Sequence, residues 1–321
     1  MNAPFEPSQA NQAYDHWRAR KLSAYPADID QLRVSVRDLA RPEPAELATL
    51  RARVTCYNMA IVATAPDQVE PSAMIAFAAA LGLRHSDANH FADPRAVSAI
   101  TAEPSSSTRI SAEHATPSRA DFIPYTRQAL NWHTDGYYNE PDQQVGSWIL
   151  FCARPARHGG ANRMIDHEIA YLRLRDESPD FIAALQHPRA FTIPAHRHAE
   201  VTLRPASIGP VFSWTNGHLH MRYSARTRHV EWLDTPEMDA ARVALDRLFS
   251  DPNVFTFDYR LQAGEGLISN NVLHCRSSFE DDTDPARARL LYRIRFRERI
   301  ATTEGLDVGD TSRRGTPRGP D

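Results

Sequence analysis

The chain has 321 residues, a formal net charge of −3, 42% hydrophobic residues and 24% charged residues. That length suits one large domain with a buried core, and the near-balanced charge argues against a nucleic-acid or anionic-membrane partner. Apolar runs such as AMIAFAAALGL (73–83) are too short to span a bilayer, and residues 1–17 lack a basic-then-apolar leader pattern, so a cytoplasmic protein is expected. Cys56, Cys152 and Cys275 stand far apart without C-x-x-C spacing, which suggests neither a zinc knuckle nor a disulfide framework. They read as small packing residues.

Residues 1–30 are polar and irregular and read as an N-terminal arm. Residues 31–100 read as a helical, α/β flanking part. PEPAELATLRARV (42–54) places Leu47, Leu50 and Val54 at helical spacing, MAIVAT (59–64) is a short buried strand, and PSAMIAFAAALGL (71–83) is a second helix stopping near Gly82. Residues 101–128, rich in Ser, Thr and Pro, form a long loop of the kind that is functional or disordered. Strands then dominate: 145–155, the Gly-Gly turn at 158–167, RAFTIPA, GPVFSWTNG, HLHMRYSAR, VFTFDYRL, GEGLISN and RLLYRIRF, with one or two short helices in 168–186. The best-marked helix is 234–250, with Thr235 as cap, Pro236 in its first turn, and an apolar stripe of Met238, Ala241, Leu245 and Leu248. Residues 301–321 read as a flexible tail. Many short strands with a few helices predict a β-sandwich or jelly roll decorated by helices.

NWHTDGYYNE (131–140) carries the chemistry. On a strand, residues i and i+2 share a face, so His133 and Asp135 can grip one metal ion while Thr134 points away. Two His and one carboxylate with open positions suit non-haem Fe(II). His274, just past the strand in LQAGEGLISNNVLHCRSSF (261–279), is the candidate third ligand. A hydrogen-bonded turn and an ordinary core histidine are the bland alternatives. In RARLLYRIRF (287–296), Leu290, Tyr292, Ile294 and Phe296 share one face, and Arg289, Leu291, Arg293 and Arg295 the other. Inside a barrel such arginines need acidic partners, so Arg289 and Arg293 can hold two acids. RHGGANR (157–163) adds a Gly159-Gly160 turn and the Asn162 amide.

Three blocks, WHTDGYY, GGAN and GEGLISNNVLHCRSSF…RARLLYR, together resemble the TauD/TfdA (taurine dioxygenase-like) family of Fe(II)/2-oxoglutarate oxygenases, with features of γ-butyrobetaine hydroxylase and clavaminate synthase-like enzymes. The match spans residues 131–293. The resemblance implies a mainly β, double-stranded β-helix (jelly-roll) core over 131–297 with flanking α-helices, within a single oxygenase domain, 1–321. It implies His133, Asp135 and His274 as Fe(II) ligands and Arg289 as the grip on the distal carboxylate of 2-oxoglutarate. Arg293 matches the arginine that faces an acidic substrate group. Asn162 stands where the family often has Thr, and its amide can still donate to the co-substrate. The implied reaction couples decarboxylation of 2-oxoglutarate by O2, giving succinate and CO2, to oxidation of a substrate C–H bond, usually by hydroxylation.

Tyr137, Tyr138, Arg222 and Arg226 are the further substrate-binding candidates, with Trp132, Asn139 and Tyr223 nearby. Aromatic rings suit a quaternary ammonium and arginines suit an acid, and the sequence does not choose. The expected substrate is a small zwitterionic or anionic metabolite. HRH (196–198) and HLH (218–220) read as surface or packing residues rather than a second metal site. Competing readings are a non-catalytic jelly-roll protein binding a small ligand or iron, an oxygenase acting on nucleic acid or protein, and a zinc hydrolase, for which no H-E-x-x-H helix exists. Oligomeric state stays open, a homo-oligomer included.

Overall fold

The alternation in RARLLYRIRF becomes the last long strand of a six-stranded sheet in the computed structural model, which describes residues 12–88, 91–103, 119–198, 201–215, 217–226, 228, 230–250 and 255–301. In chain order the strands of the two main sheets are β1 (Arg33–Ser35), β2 (Met59–Ala63), β3 (Ser98–Ile100), β4 (Leu130–His133), β5 (Ser147–Arg154), β6 (Asn162–Ile165), β7 (Thr256–Tyr259), β8 (Glu265–Ser269), β9 (Leu273–Arg276) and β10 (Leu290–Phe296). The larger sheet runs β1-β2-β8-β5-β10-β3 and the smaller β7-β6-β9-β4. Only β1–β2 is parallel. From β4 to β10 the chain passes repeatedly between the sheets, giving the double-stranded β-helix with its flanking helices.

The two faces of β10 explain the layers. Ile294 and Phe296 join Ile149 and Phe151 of β5 against α2 (Pro44–Tyr57) and α3 (Pro71–Ala80), through Leu50, Val54, Met74 and Phe77. Leu291, Trp148, Leu150 and Cys152 face inward, against Met164 and Phe257 of the smaller sheet. The arginine face of β10 is therefore the inside of the roll. Between β6 and β7 the chain builds a second apolar cluster from α4 (His167–Glu177), α5 (Pro179–Leu185), α6 (Pro236–Ser250) and the strand Phe191–Ile193. Trp132, Tyr137 and Tyr138 pack at its edge, so this insert forms one wall of the site.

Local chemistry sets the element ends. Pro44 opens α2, where Glu43 and Glu46 form a capping box, and Asn58 closes it in the left-handed region at φ 57°. The Thr235 hydroxyl accepts from the Met238 N–H at 3.2 Å, and Met238, Ala241 and Leu245 are buried while Leu248 is half-buried.

Several expectations change. Residues 1–11 of the arm and the tail from 302 lie outside the described residues, as does 104–118 of the long loop. Gln12–Ala24 of the arm is not irregular but a helix, α1. Only Tyr14, Trp17 and Leu22 mark its apolar side, and it is held by particular contacts: Trp17 against Tyr171, Arg18 on Asp176, and a buried Lys21 whose ammonium meets Asp166 and Glu168, each at 2.6 Å. GPVFSWTNG and HLHMRYSAR shorten to the hairpin Phe212–Thr215/His218–Met221. Cys56 is exposed rather than a packing residue, whereas Cys152 is buried.

Candidate functional site

β4 ends at His133, and the chain turns immediately at Gly136. The turn needs glycine: φ is +67°, and an added Cβ would sit 2.5 Å from the Val145 side chain. In the smaller sheet His274 of β9 lies directly opposite His133 of β4, so both imidazoles project from one face, with ring centroids 4.2 Å apart. Asp135 completes the group. Its carboxylate and the two imidazoles offer ligand atoms within 4.8 Å of one another, the only such group of three or more His, Cys, Asp or Glu among the described residues. His133 Nδ1 lies 2.8 Å from the Asn131 carbonyl and His274 Nδ1 3.0 Å from the Val272 carbonyl. A carbonyl only accepts, so each Nδ1 carries the proton and each Nε2 keeps a lone pair free for a metal.

Asp135 is fixed from two sides. Its N–H donates to Asn271 Oδ1 at 2.8 Å, and Asn271 Nδ2 donates to the Asp135 carbonyl at 3.0 Å and the Val145 carbonyl at 2.9 Å. Asn271 adopts φ 60°, a conformation asparagine tolerates better than most residues. Arg293 of β10 reaches across the roll, its Nη1 3.2 Å from Asp135 Oδ1 and 3.1 Å from Oδ2. Burial opposes ionisation of Asp135, but Arg293, His133, Arg295 and His274 outweigh it and hold the carboxyl well below its usual range. Burial, reinforced by His133, pushes His274 down to about 3, which keeps it neutral and able to ligate. Trp148 packs on the His274 ring at 4.9 Å.

Arg289 lies just before β10 with 4% of its surface exposed. Its guanidinium stacks on Phe279, 4.7 Å from the ring centroid, and Nη1 is buried without a hydrogen-bond partner. Burial pushes its pKa down to about 10. Arg289 and Asn162 line one cavity with Gly159, Gly160 and Cys152. The cavity measures about 10 Å³, smaller than a dicarboxylate, so docking one there requires its lining to open. Asn162 opens β6 opposite Arg276 of β9, two residues beyond His274 on the same face.

Of the remaining candidates, Arg222 does not face a ligand. It is buried, and its donors go to the carbonyls of Tyr137 (2.7 Å), Phe191 (2.9 Å) and Ser207 (2.7 Å). It is a strut under the metal-motif turn, because a buried guanidinium must satisfy its N–H groups locally. Tyr137 is half-buried with its hydroxyl bonded to Ser224, which bridges His133. Arg226 is exposed, two residues beyond Ser224. Tyr138 accepts from Arg295 Nη1 at 2.9 Å. Trp132 points away and stacks on Phe249. His220 is half-buried beside His167 and belongs to no metal cluster among the described residues.

Sequence reasoning missed Asn271, Arg276, Trp148 and the buried Asp87–Arg295 pair at 2.7 Å. The signals were faint. Asn270-Asn271 before a strand marks a left-handed turn, and Arg295 shares the parity of Arg293.

The assembled groups could hold a divalent transition ion on one carboxylate and two imidazoles, a donor set suited to non-haem Fe(II). The model of the family described as "Taurine catabolism dioxygenase TauD, TfdA family" matches residues 19–295. A uridine-5'-phosphate dioxygenase of Streptomyces sp is 33% identical over 179 residues, 53% of this chain and 62% of the relative. A second, of Amycolatopsis sp, is 30% identical over 168 residues, 50% and 60% of the two chains. The alignments thus span about three fifths of the length of these curated relatives. Among solved structures, asparagine oxygenase in complex with Fe(II), 3-hydroxyasparagine and succinate superposes with a TM-score of 0.54 at 17% identity, covering 92% of this chain and 86% of that one. The non-heme iron oxygenase OrfP with Fe and alpha-ketoglutaric acid gives 0.51 at 18% identity, covering 82% and 87%. These structural likenesses carry the fold, and the family match extends through both halves of the metal motif to Arg293 and Arg295: the chain belongs to the TauD/TfdA dioxygenase family.

Proposed function

We propose that this chain is an Fe(II)- and 2-oxoglutarate-dependent dioxygenase that oxidises, most simply by hydroxylation, a C–H bond of a small anionic or zwitterionic metabolite. One observation carries the reading. The His133–Asp135–His274 cluster shares the inside of the jelly roll with a buried guanidinium, Arg289, that has no carboxylate within ion-pair distance among the described residues. A buried, unpaired cation is costly and fits a site whose counter-charge arrives with a ligand. When bound, iron supplies O2 activation coupled to decarboxylation of 2-oxoglutarate to succinate and CO2.

The protein's own groups do the positioning. His133, Asp135 and His274 would hold the metal, with Nδ1–carbonyl bonds fixing both ring orientations. Arg289 would take the distal carboxylate as a two-pronged donor, with the Asn162 amide beside it. Arg293 orients Asp135, and Tyr137 and Tyr138, which follow the motif at the edge of the flanking cluster, would face the substrate. The uridine-5'-phosphate dioxygenases make phosphorylated nucleosides the first substrates to screen. A cytoplasmic setting fits three unpaired cysteines and the lack, among the described residues, of any helix long and apolar enough to cross a membrane.

The test is anaerobic loading with Fe(II) and 2-oxoglutarate, followed by visible spectroscopy. Chelation of the keto acid gives a weak charge-transfer band, lost in His133→Ala and His274→Ala and weakened in Arg289→Ala. Stoichiometric iron without a band in the unmodified protein defeats the proposal.

A further inference from the structure

The wall on the substrate side of the metal motif carries more positive charge than it has counter-charge. Arg204 and Arg222 donate to consecutive carbonyls, those of Tyr138 (3.3 Å) and Tyr137 (2.7 Å), so the two guanidiniums sit about one peptide apart. Neither has a carboxylate among the groups acting on it: burial depresses both, and each has only tyrosines or the other arginine as a charged or titratable neighbour. The Tyr138 ring lies between Arg204 and Arg295, with guanidinium carbons 5.8 and 6.0 Å from its centroid. Exposed Arg226 follows Ser224, the partner of both His133 and the Tyr137 hydroxyl.

Among the described residues the buried acids at this wall are committed: Asp135 pairs with Arg293 and Asp87 with Arg295, while Glu140 and Asp142 beyond the turn are exposed. Among the described residues no unpaired buried carboxylate is therefore left at the Tyr137–Tyr138 turn to receive a substrate ammonium, which counts against a zwitterionic amino acid. Donors, by contrast, are plentiful. Arg204 uses Nη1 on the Tyr138 and Pro205 carbonyls and one Nη2 hydrogen on the Pro194 carbonyl, leaving Nε–H and the second Nη2 hydrogen. Arg295 donates to the Tyr138 oxygen, so the phenolic proton is free to be donated in turn. Two uncompensated guanidiniums flanked by a third, exposed one match a dianion better than a single carboxylate.

We propose that the primary substrate is a phosphate monoester without a cationic group, and that Arg204, Arg226 and the Tyr138 hydroxyl receive its phosphate. Arg222 contributes charge from beneath as a positioning residue, its own donors being spent. This rests on the oxygenase reading above and narrows its substrate class.

The test uses the full chain, anaerobic, with Fe(II) and 2-oxoglutarate bound. Titration calorimetry compares uridine 5'-monophosphate, adenosine 5'-monophosphate, glycerol 3-phosphate, uridine, asparagine, arginine and inorganic phosphate, and succinate release is followed in air. At least one monoester should bind and stimulate succinate release. Its unphosphorylated counterpart should bind roughly ten- to a hundredfold more weakly, the loss expected for charged hydrogen bonds. Arg226→Gln and Arg204→Gln should each weaken the ester about tenfold or more, leave the neutral nucleoside unchanged, and flatten the salt dependence, while Arg226→Lys recovers part of the affinity. Melting curves separate misfolding from lost binding, and Arg226, being exposed, is the variant least able to unfold the chain. The proposal is overturned if an amino acid stimulates turnover, if ester and nucleoside bind alike, or if neither phosphate nor any ester binds. In each case a charge-transfer band with 2-oxoglutarate leaves the oxygenase assignment standing, and only its absence removes both.

Discussion

Replacing Arg289 by Met separates the two things its burial does. The guanidinium is 4% exposed and its pKa falls from the ordinary 12.5 to about 10, a difference corresponding to about 3 kcal/mol against the charged form in the folded state. Both folded and unfolded chains carry the charge at pH 7, so this cost is constant across the usable range and is relieved only above about pH 10, where the folded chain can lose the proton. Met keeps the aliphatic stem over Phe279 and deletes the charge. Without co-substrate, Arg289→Met should therefore be as stable as the unmodified protein or more so, by up to about 3 kcal/mol, or several degrees of melting temperature. With 2-oxoglutarate the order reverses. The unmodified protein gains a carboxylate for its buried cation and the variant does not, so the variant's apparent KM for 2-oxoglutarate should rise roughly 10- to 100-fold, the value of a charged hydrogen-bond pair. Differential scanning fluorimetry with and without 2-oxoglutarate, alongside calorimetric titration, reads both arms. If the variant melts several degrees lower when free of ligand and still shows the full 2-oxoglutarate shift, Arg289 is a structural residue and the co-substrate binds elsewhere.

Asn271→Ala removes the backbone clamp on Asp135 and leaves its N–H and carbonyl unpaired in a buried setting, which should cost about 2–4 kcal/mol in chemical denaturation and at least tenfold in Fe(II) affinity. Asp87→Ala strands buried Arg295 and should destabilise by about 3–5 kcal/mol, whereas Asp87→Ala with Arg295→Met should recover much of that loss in the same denaturant series. Glu265 is buried, which opposes its ionisation, yet the Gln262 N–H, Arg33 and Tyr259 lower its pKa below the ordinary 4.5. Its folded-state pKa being depressed, it contributes stability above about pH 4.5 that fades as pH falls through the lowered value. Glu265→Gln should thus cost about 1–2 kcal/mol at pH 7, and the gap to the unmodified protein should narrow as melts are taken to acid pH below 4.5.

The local patterns were legible because they depend on periodicity and turn chemistry. The i, i+2 rule placed His133 and Asp135 on one face and turned Thr134 away, where its hydroxyl accepts from the Tyr223 N–H at 3.1 Å. The same rule put Arg289, Arg293 and Arg295 inside the roll with Leu291. Pairings over long sequence distances were not legible. No spacing rule links Asn271 to Asp135 across 136 positions, or shows that Arg222 spends its donors on carbonyls of three separate segments. The helix Gln12–Ala24 was missed because only Tyr14, Trp17 and Leu22 mark its apolar side in a polar sequence, and a buried Lys21 held by Asp166 and Glu168 of the α4 start shares that side.

The three inward arginines of the RARLLYRIRF stretch show why residue type alone cannot assign a role. In the sequence they are equivalent: same side chain, same strand, same parity. In the structure they differ in what answers their charge. Arg289 has no carboxylate within ion-pair distance among the described residues, Asp281 acting on it only from beside its backbone N–H, Arg293 shares the carboxylate that also faces the two imidazoles, and Arg295 pairs with Asp87 with Tyr138 alongside. A buried cation with its own acid is neutral to an incoming anion and acts as scaffold. One that shares an acid with a metal site is bound to respond to whatever occupies that site. One with no acid in ion-pair reach and a buried donor left unspent is a candidate anion site, whereas Arg222, equally without an acid, spends its donors on carbonyls and is a strut. Asp87 lies more than two hundred residues away from Arg295, in a loop that carries no motif, so the difference between the three is written in counter-charge that only the folded chain brings into place.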